Sequence, residues 1–223
     1  MTLATPRYGD VLEPVETETW GRLPLSGGIL ADSEIHAAIA CGDIEIDPFD
    51  PSHVNPVSVD LTLGDEVLVY ARWAEKRPVD DSPIGPEFAV LDIKEEPEMI
   101  RFNIAAKGIV LKPGIGYLMH TRERVATKKY IPVLDGKSSI GRLFMVVHVT
   151  AGFGDPGFNG QYTLEVTVTH ALRVYAGMRI AQMRFHTIVG EVERPYAGNY
   201  VGEGARGPVA SRAYRQFLPK GGV

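Results

Sequence analysis

Cysteine is almost absent from this chain: Cys41 is the only one among 223 residues. A lone thiol cannot form an intrachain disulfide, and it cannot build a thiolate-rich zinc site. Paired histidines are missing too. The six histidines stand at positions 36, 53, 120, 148, 170 and 186, with no HxH or HExxH spacing, which argues against a dedicated transition-metal site. No stretch approaches the roughly 20 apolar residues of a membrane span, and no basic segment followed by an apolar run opens the chain. Positive charge is scarce as well. A formal net charge of −5 argues against a surface that coats a nucleic-acid polymer, but leaves room for a nucleotide pocket with a few local cations. The expectation is a soluble, cytoplasmic protein with no membrane partner.

What is present is punctuation. Twenty-four glycines and sixteen prolines break the chain into short apolar runs, the pattern of many strands and turns rather than long helices. Residues 1–27 mix Pro, Thr, Glu and Gly without periodicity and read as an N-terminal extension, with Trp20 and Leu23 available to dock on a neighbour. Asp32 is placed to cap a short helix running to about Cys41, with Ile35, Ala38 and Ile39 on one face and Gly42 as its stop. Residues 44–51 read as a strand ending in a Pro/Asp turn. Residues 57–70 alternate as strand, turn at Gly64-Asp65, and strand. Residues 71–100 are polar and Pro-containing, a surface excursion. Residues 108–125 give two short strands around Pro113-Gly114, and the runs YIPVLDG, LFMVVHVTA, YTLEVTVTH and RIAQMRFHTIV give further strands. The fold class is mainly β, a barrel or sandwich with one or two small helices spanning residues 28–194. A glycine-rich arm or flap follows at residues 195–223.

The chemistry concentrates in residues 137–165. Lys137, Ser138, Ser139 and Arg142 offer two cations and two hydroxyls within one turn, a set that suits phosphate oxygens, although a solvated turn has the same composition. The fixed glycine spacing of a Walker loop is not there. In GFGDPGF, residues 152–158, Asp155 can accept from a sugar hydroxyl and Phe153 or Phe158 can pack on a sugar or base. A tight hairpin connection is the plain alternative. In TLEVTVT, Thr163, Glu165, Thr167 and Thr169 share one strand face, opposite Leu164, Val166 and Val168. Glu165 is the candidate general base, provided that burial tunes it; otherwise it is a carboxylate on a wet face. His148, inside MVVHVTA, reads as a satisfied core histidine.

In combination these segments resemble the dCTP deaminase branch of the dUTPase superfamily, over Gly28 to about Phe217. The carriers are GILADSEI, IDPFDP at 46–51, PVSVDLTLG at 56–64, GKSSIGR at 136–142, HVTAGFGDPGF at 148–158, TLE at 163–165, AGMRIAQ at 176–182 and RGPVASRAY at 206–214. The resemblance implies a homotrimer of distorted dUTPase-like β-barrels with active sites at subunit interfaces. It implies zinc-independent hydrolytic deamination at C4 of a deoxycytidine nucleotide, with Mg²⁺ carried on the triphosphate. The zinc deaminase signature HxE with PCxxC is missing. Carried over by motif, Glu165 is the catalytic carboxylate, while Ser138 and Arg142 orient the water. Lys137, Ser138 and Ser139 contact phosphate, Asp155 takes the 3′ hydroxyl, and the backbone of Thr163 and Leu164 reads the pyrimidine. Gln182, Tyr196 and Arg206 complete the substrate contacts.

Family members of this kind release dUTP or go on to dUMP and pyrophosphate, and the AGF turn at 151–153 with Gln182 resembles the second type more closely. The arm departs from the family pattern: Asn199 stands where a phosphate-binding lysine is expected and Glu203 near an expected glutamine, with Arg206 as a substitute cation. Three alternatives therefore stay open: a pyrophosphatase acting on dUTP alone, a deaminase of another cytosine nucleotide, and a non-catalytic nucleotide-binding regulator.

Overall fold

The computed structural model describes residues 27–71, 91–200 and 206–218. The expectations for the extension up to residue 26, for residues 72–90 and for Glu203 lie outside the described residues. The first element is helix α1 (Asp32–Ala40), which buries Ile35 and Ala38 as its periodicity requires. Its N-cap position is Ala31 rather than Asp32, and no side chain caps it; Asp32 enters the first turn, where its charge suits the helix dipole. Gly42 follows with φ +77°, a left-handed conformation that stops the helix.

Twelve short strands follow among the described residues, so the fold is mainly β. They are β1 (Ile44–Asp47), β2 (Val54–Asn55), β3 (Ser58–Thr62), β4 (Glu66–Tyr70), β5 (Met99–Asn103), β6 (Ile109–Leu111), β7 (Tyr117–Thr127), β8 (Tyr130–Gly136), β9 (Met145–Val146), β10 (Asn159–Val168), β11 (Leu172–Val174) and β12 (Arg179–Thr187). They assemble into three sheets. A six-stranded sheet runs β5-β4-β7-β10-β9 with β1 added on β7; a four-stranded sheet runs β2-β3-β12-β8; β11 and β6 pair alone. Leu61, Met183 and Phe185 from the four-stranded sheet and Val67, Met119 and Leu164 from the six-stranded sheet meet in one apolar cluster. Sheet-on-sheet burial of that kind is what short alternating strands need to hide their apolar faces.

Three local readings change on folding. The two strands expected on either side of Gly64-Asp65 form, but they do not pair with one another: β3 joins β2 and β12, while β4 joins β5 and β7. The two segments around Pro113-Gly114 likewise separate, β6 to β11 and the eleven-residue β7 to the large sheet. Of the run LFMVVHVTA only Met145–Val146 is strand, because a one-turn helix α2 (Ser138–Gly141) and Phe144 at φ 52° precede it. Among its described residues the arm, despite its glycine content, holds a 3₁₀ turn at Ala213–Phe217. Among the described residues, no helix is long and apolar enough to cross a membrane.

The switch between sheets depends on a close approach. A Cβ on Gly64 would lie 2.0 Å from His120 Cε1, and His120 is buried on β7 with Nδ1 2.9 Å from the Thr121 carbonyl. Burial pushes the His120 imidazole below its ordinary value, and a ring that moved aside would give up its contact with the Thr121 carbonyl. Gly64→Ala should therefore destabilise by about 1–3 kcal/mol, the range for forced overpacking. Urea unfolding checks this, and a midpoint equal to the wild type would show that the ring yields.

Candidate functional site

Strand β10 supplies the central carboxylate. Its alternation buries Leu164, Val166 and Val168 and turns Thr163 and Glu165 to the opposite face, as the sequence pattern requires. Glu165 is less buried than a tuned base would need, its side chain being 40% exposed in the single chain. Val149 N–H donates to its Oε2 at 3.4 Å. The same Oε2 lies 2.7 Å from His148 Nδ1, but the approach lacks the angle of a hydrogen bond, and both buried ring nitrogens are without a hydrogen-bond partner. His148 is thus not the satisfied core histidine of the sequence reading. It stands at the rim of the site, with polar atoms that still need partners.

His148 also lines a cavity of about 250 Å³ together with Lys137, Ser138 and Gly141. Helix α2 presents Ser138, to whose Oγ the Arg142 Nη1 donates at 3.1 Å; Ser139 and Arg142 are exposed beside it. The structure therefore brings Lys137, Ser138 and Gly141 to one cavity and reaches Glu165 through His148. Among the described residues no hydrogen bond or ion pair joins Ser138 or Arg142 to Glu165 directly.

Lys137 does not point free into that cavity. Its Nζ lies 2.5 Å from Asp60 Oδ1. Asp60, 2% exposed on β3, also accepts from Asn55 Nδ2 at 3.0 Å, Gln182 Nε2 at 3.3 Å and Arg179 Nη1 at 3.3 Å. Burial works to raise its pKa, but hydrogen bonds from Lys137, Asn55 and Gln182 and the Lys137 charge outweigh it and hold the carboxyl below its ordinary 3.8. Sequence reasoning missed Asp60. The available signal was an acidic residue within an apolar strand, which must find cationic partners if the strand is buried.

The remaining candidates fall in other places. Asp155 is exposed in the turn, where its carbonyl accepts from Phe158 N–H at 3.1 Å. Phe158 packs edge-on against Tyr162 at 5.0 Å and Tyr196 at 6.2 Å, so its ring is occupied; Phe153 is exposed. Tyr196 thereby belongs to the Asp155 turn. The Thr163 hydroxyl accepts from Val209 N–H at 3.1 Å, which lays the arm along β10, while Leu164 is buried. Arg206 lies with Arg101, Leu68 and Pro208 around a second cavity of about 400 Å³, apart from Lys137. Tyr70, also missed, sits where the arm meets the site. Burial pushes its phenol up against a hydrogen bond from the Ser211 backbone, and the charges of Tyr200 and Glu165 add to the rise.

The Asp60 cluster has a consequence for acid stability. A carboxyl held lower in the folded state than in the unfolded state contributes stability above the unfolded value of 3.8 and loses it as pH falls through the lower folded value. The stability gap between the wild type and Asp60→Asn should be constant above about pH 5 and should shrink below 3.8. Chemical unfolding at a series of pH values measures it, and a gap that widens in acid would contradict the assignment.

A family model for dCTP deaminase-like proteins matches residues 29–188. A protein of Leptospira biflexa named "dCTP deaminase, dUMP-forming" is 39% identical over 192 residues, covering 86% of this chain and 99% of that protein. One of the same name from Clostridium acetobutylicum is 39% identical over 176 residues, 79% of this chain and 91% of that one. Among solved structures, the 2′-deoxycytidine 5′-triphosphate deaminase of Agrobacterium tumefaciens superposes with a TM-score of 0.54 at 24% identity, over 73% of this chain and 49% of that chain. At that identity the superposition speaks for the fold.

Proposed function

The chain belongs to the dCTP deaminase-like family, and on that premise we propose that it hydrolyses the 4-amino group of dCTP and carries the product on to dUMP and pyrophosphate. The observation that carries the proposal is the placement of Glu165: a carboxylate at mid-strand, aimed away from the core, with a backbone donor and an unsatisfied imidazole at its Oε2. A water held at that carboxylate can lose a proton to Glu165 as its oxygen bonds to C4, and that proton passes to ring N3; Glu165 then takes the second proton from the new C4 hydroxyl and gives it to the departing amine, so the C4–N bond breaks, ammonia leaves and a carbonyl remains. Cleavage at the α-phosphate by a second water yields dUMP and pyrophosphate, dUMP being the product in the names of the relatives. Lys137, Ser138 and Ser139 lie at the phosphate end, with Mg²⁺ arriving as part of the substrate. The attacking water is activated by Glu165 in this scheme and not by a resident zinc.

The proposed assembly is a homotrimer of distorted dUTPase-like barrels. Its support is that Arg142 and Glu165 do not meet within one chain, while Leu143, Phe144, Val146 and Val149 are exposed beside α2 and β9, an apolar surface that a second copy would cover. Such a contact would bring a neighbour's Arg142 and Ser138 to Glu165 and remove water from the carboxylate.

Incubation with dCTP, followed by chromatography and ammonia detection, tests the activity; dCTP left unchanged would remove the proposal. Glu165→Gln keeps size and polarity but not the base, so deamination should fall by at least ~10²-fold with nucleotide binding retained. Light scattering should give about three times the 24.4 kDa chain mass, and a fully active monomer would exclude a site shared between subunits.

A further inference from the structure

Asp60 lies outside every group that would touch the reacting base, yet it binds two of the residues assigned to substrate. It is placed by pairing across the four-stranded sheet. Gln182 on β12 is directly opposite Asp60 on β3, and on its other side Gln182 is opposite Asp135 on β8, two residues before Lys137. One buried carboxylate thereby receives an ammonium, two amides and a guanidinium from three separate segments: Asn55 on β2, Lys137 after β8, and Arg179 and Gln182 on β12. A buried charge with so many donors fixes their positions, since moving any one of them leaves the anion less compensated.

We propose that Asp60 is a positioning residue for the phosphate end of the site: it holds Lys137 at the cavity beside Ser138 and fixes Gln182 next to that lysine, and it sets affinity for the phosphate chain rather than the rate of chemistry at the base. The proposal rests on the nucleotide reading above. Lys137 is 18% exposed on its side chain, enough for one face of the ammonium to take a phosphate oxygen while another keeps Asp60. Without the carboxylate, the lysine would be free to adopt many rotamers and would lose that preorganisation. Gln182 would lose its acceptor in the same step. Among the described residues no hydrogen bond or ion pair joins Glu165 or His148 to Asp60, so the groups that handle the water stay in place.

The experiment compares the wild type, Asp60→Asn and Asn55→Ala for dCTP turnover, and for binding of dCTP, inorganic triphosphate and deoxycytidine by calorimetry. Asp60→Asn should raise KM for dCTP by about tenfold or more, with kcat within about threefold of wild type, the signature of lost binding rather than lost chemistry. Affinity for inorganic triphosphate should fall by a similar factor, and affinity for deoxycytidine should not change. Asn55→Ala removes a donor from Asp60 without touching Lys137 or Gln182. It should move KM in the same direction by a smaller factor, and it decides the matter if Asp60→Asn does not fold. In the Lys137→Met background, Asp60→Asn should add little further loss, because the two act as one unit. A fall in kcat at unchanged KM, or equal losses for dCTP and deoxycytidine, would overturn the role. A wild type that binds triphosphate without deaminating dCTP would defeat the deaminase reading alone, and the Asp60 comparison would still be read from triphosphate binding. A wild type that binds neither would defeat both.

Discussion

A carboxylate cut off from water has to be matched by cations and donors, and in this fold that constraint acts at Asp60. Strand β3 is buried on both faces, so the polar side of its alternation, Asp60 and Thr62, faces protein rather than solvent. Thr62 answers by donating N–H and hydroxyl to the buried Glu123 on β7 at 2.9 and 2.5 Å. Asp60 answers by gathering Asn55, Lys137, Arg179 and Gln182. Each polar residue of β3 therefore ties it to a different part of the molecule: Thr62 to the large sheet, Asp60 to the segment that ends β8 and to β12. Apolar packing alone would permit these sheets to slide, whereas a buried anion with fixed donors does not.

The second constraint is register. On β10 the core residues Leu164 and Val166 and the candidate site residues Thr163 and Glu165 alternate, so a slip of one residue would bury the carboxylate and expose the leucine. Pairing with β7 sets Glu165 opposite Leu118 and Thr163 opposite His120. The register shifts between Gln161 and Thr163, where Tyr162 N–H donates to the Thr121 hydroxyl instead of a ladder carbonyl. The irregularity lies next to the site, and it lets Gln161 and Thr163 accept from Gly207 and Val209 of the arm. The arm is thus fastened by side chains of the strand that carries Glu165.

How much of this was legible in the sequence depended on distance along the chain. The apolar face of α1, the alternation around Glu165 and the mainly β class follow from periods of a few residues and survive folding. Partners across tens of residues do not announce themselves in a local pattern. Nothing in residues 57–70 says that its two strands join different sheets, and nothing near Asp60 points to Lys137, 77 positions away. His148 was misread for the same reason. An apolar neighbourhood in sequence suggested an apolar one in space, whereas Phe144 at positive φ and the short β9 carry the chain out to the cavity rim. The family motifs, by contrast, singled out Glu165, Ser138 and Lys137 as candidates, because a motif encodes a whole arrangement rather than a local preference.

The arm shows how a motif departure can be met by geometry. Asn199 lacks the charge expected at its position, and Arg206, the nearest substitute by sequence, belongs to another cavity with Arg101. The guanidinium that does reach position 199 is Arg212, whose Nη1 bonds the Asn199 carbonyl while the group lies 5.6 Å from the Tyr200 ring centroid. Arg212 N–H also donates to the Tyr200 hydroxyl at 3.2 Å. The preceding residue, Ser211, bonds Tyr70, which is close enough to Glu165 to feel its charge. Arg212 therefore brings its charge to Asn199 from farther along the same arm, whose Gly207 and Val209 N–H groups are bonded to Gln161 and Thr163 on β10.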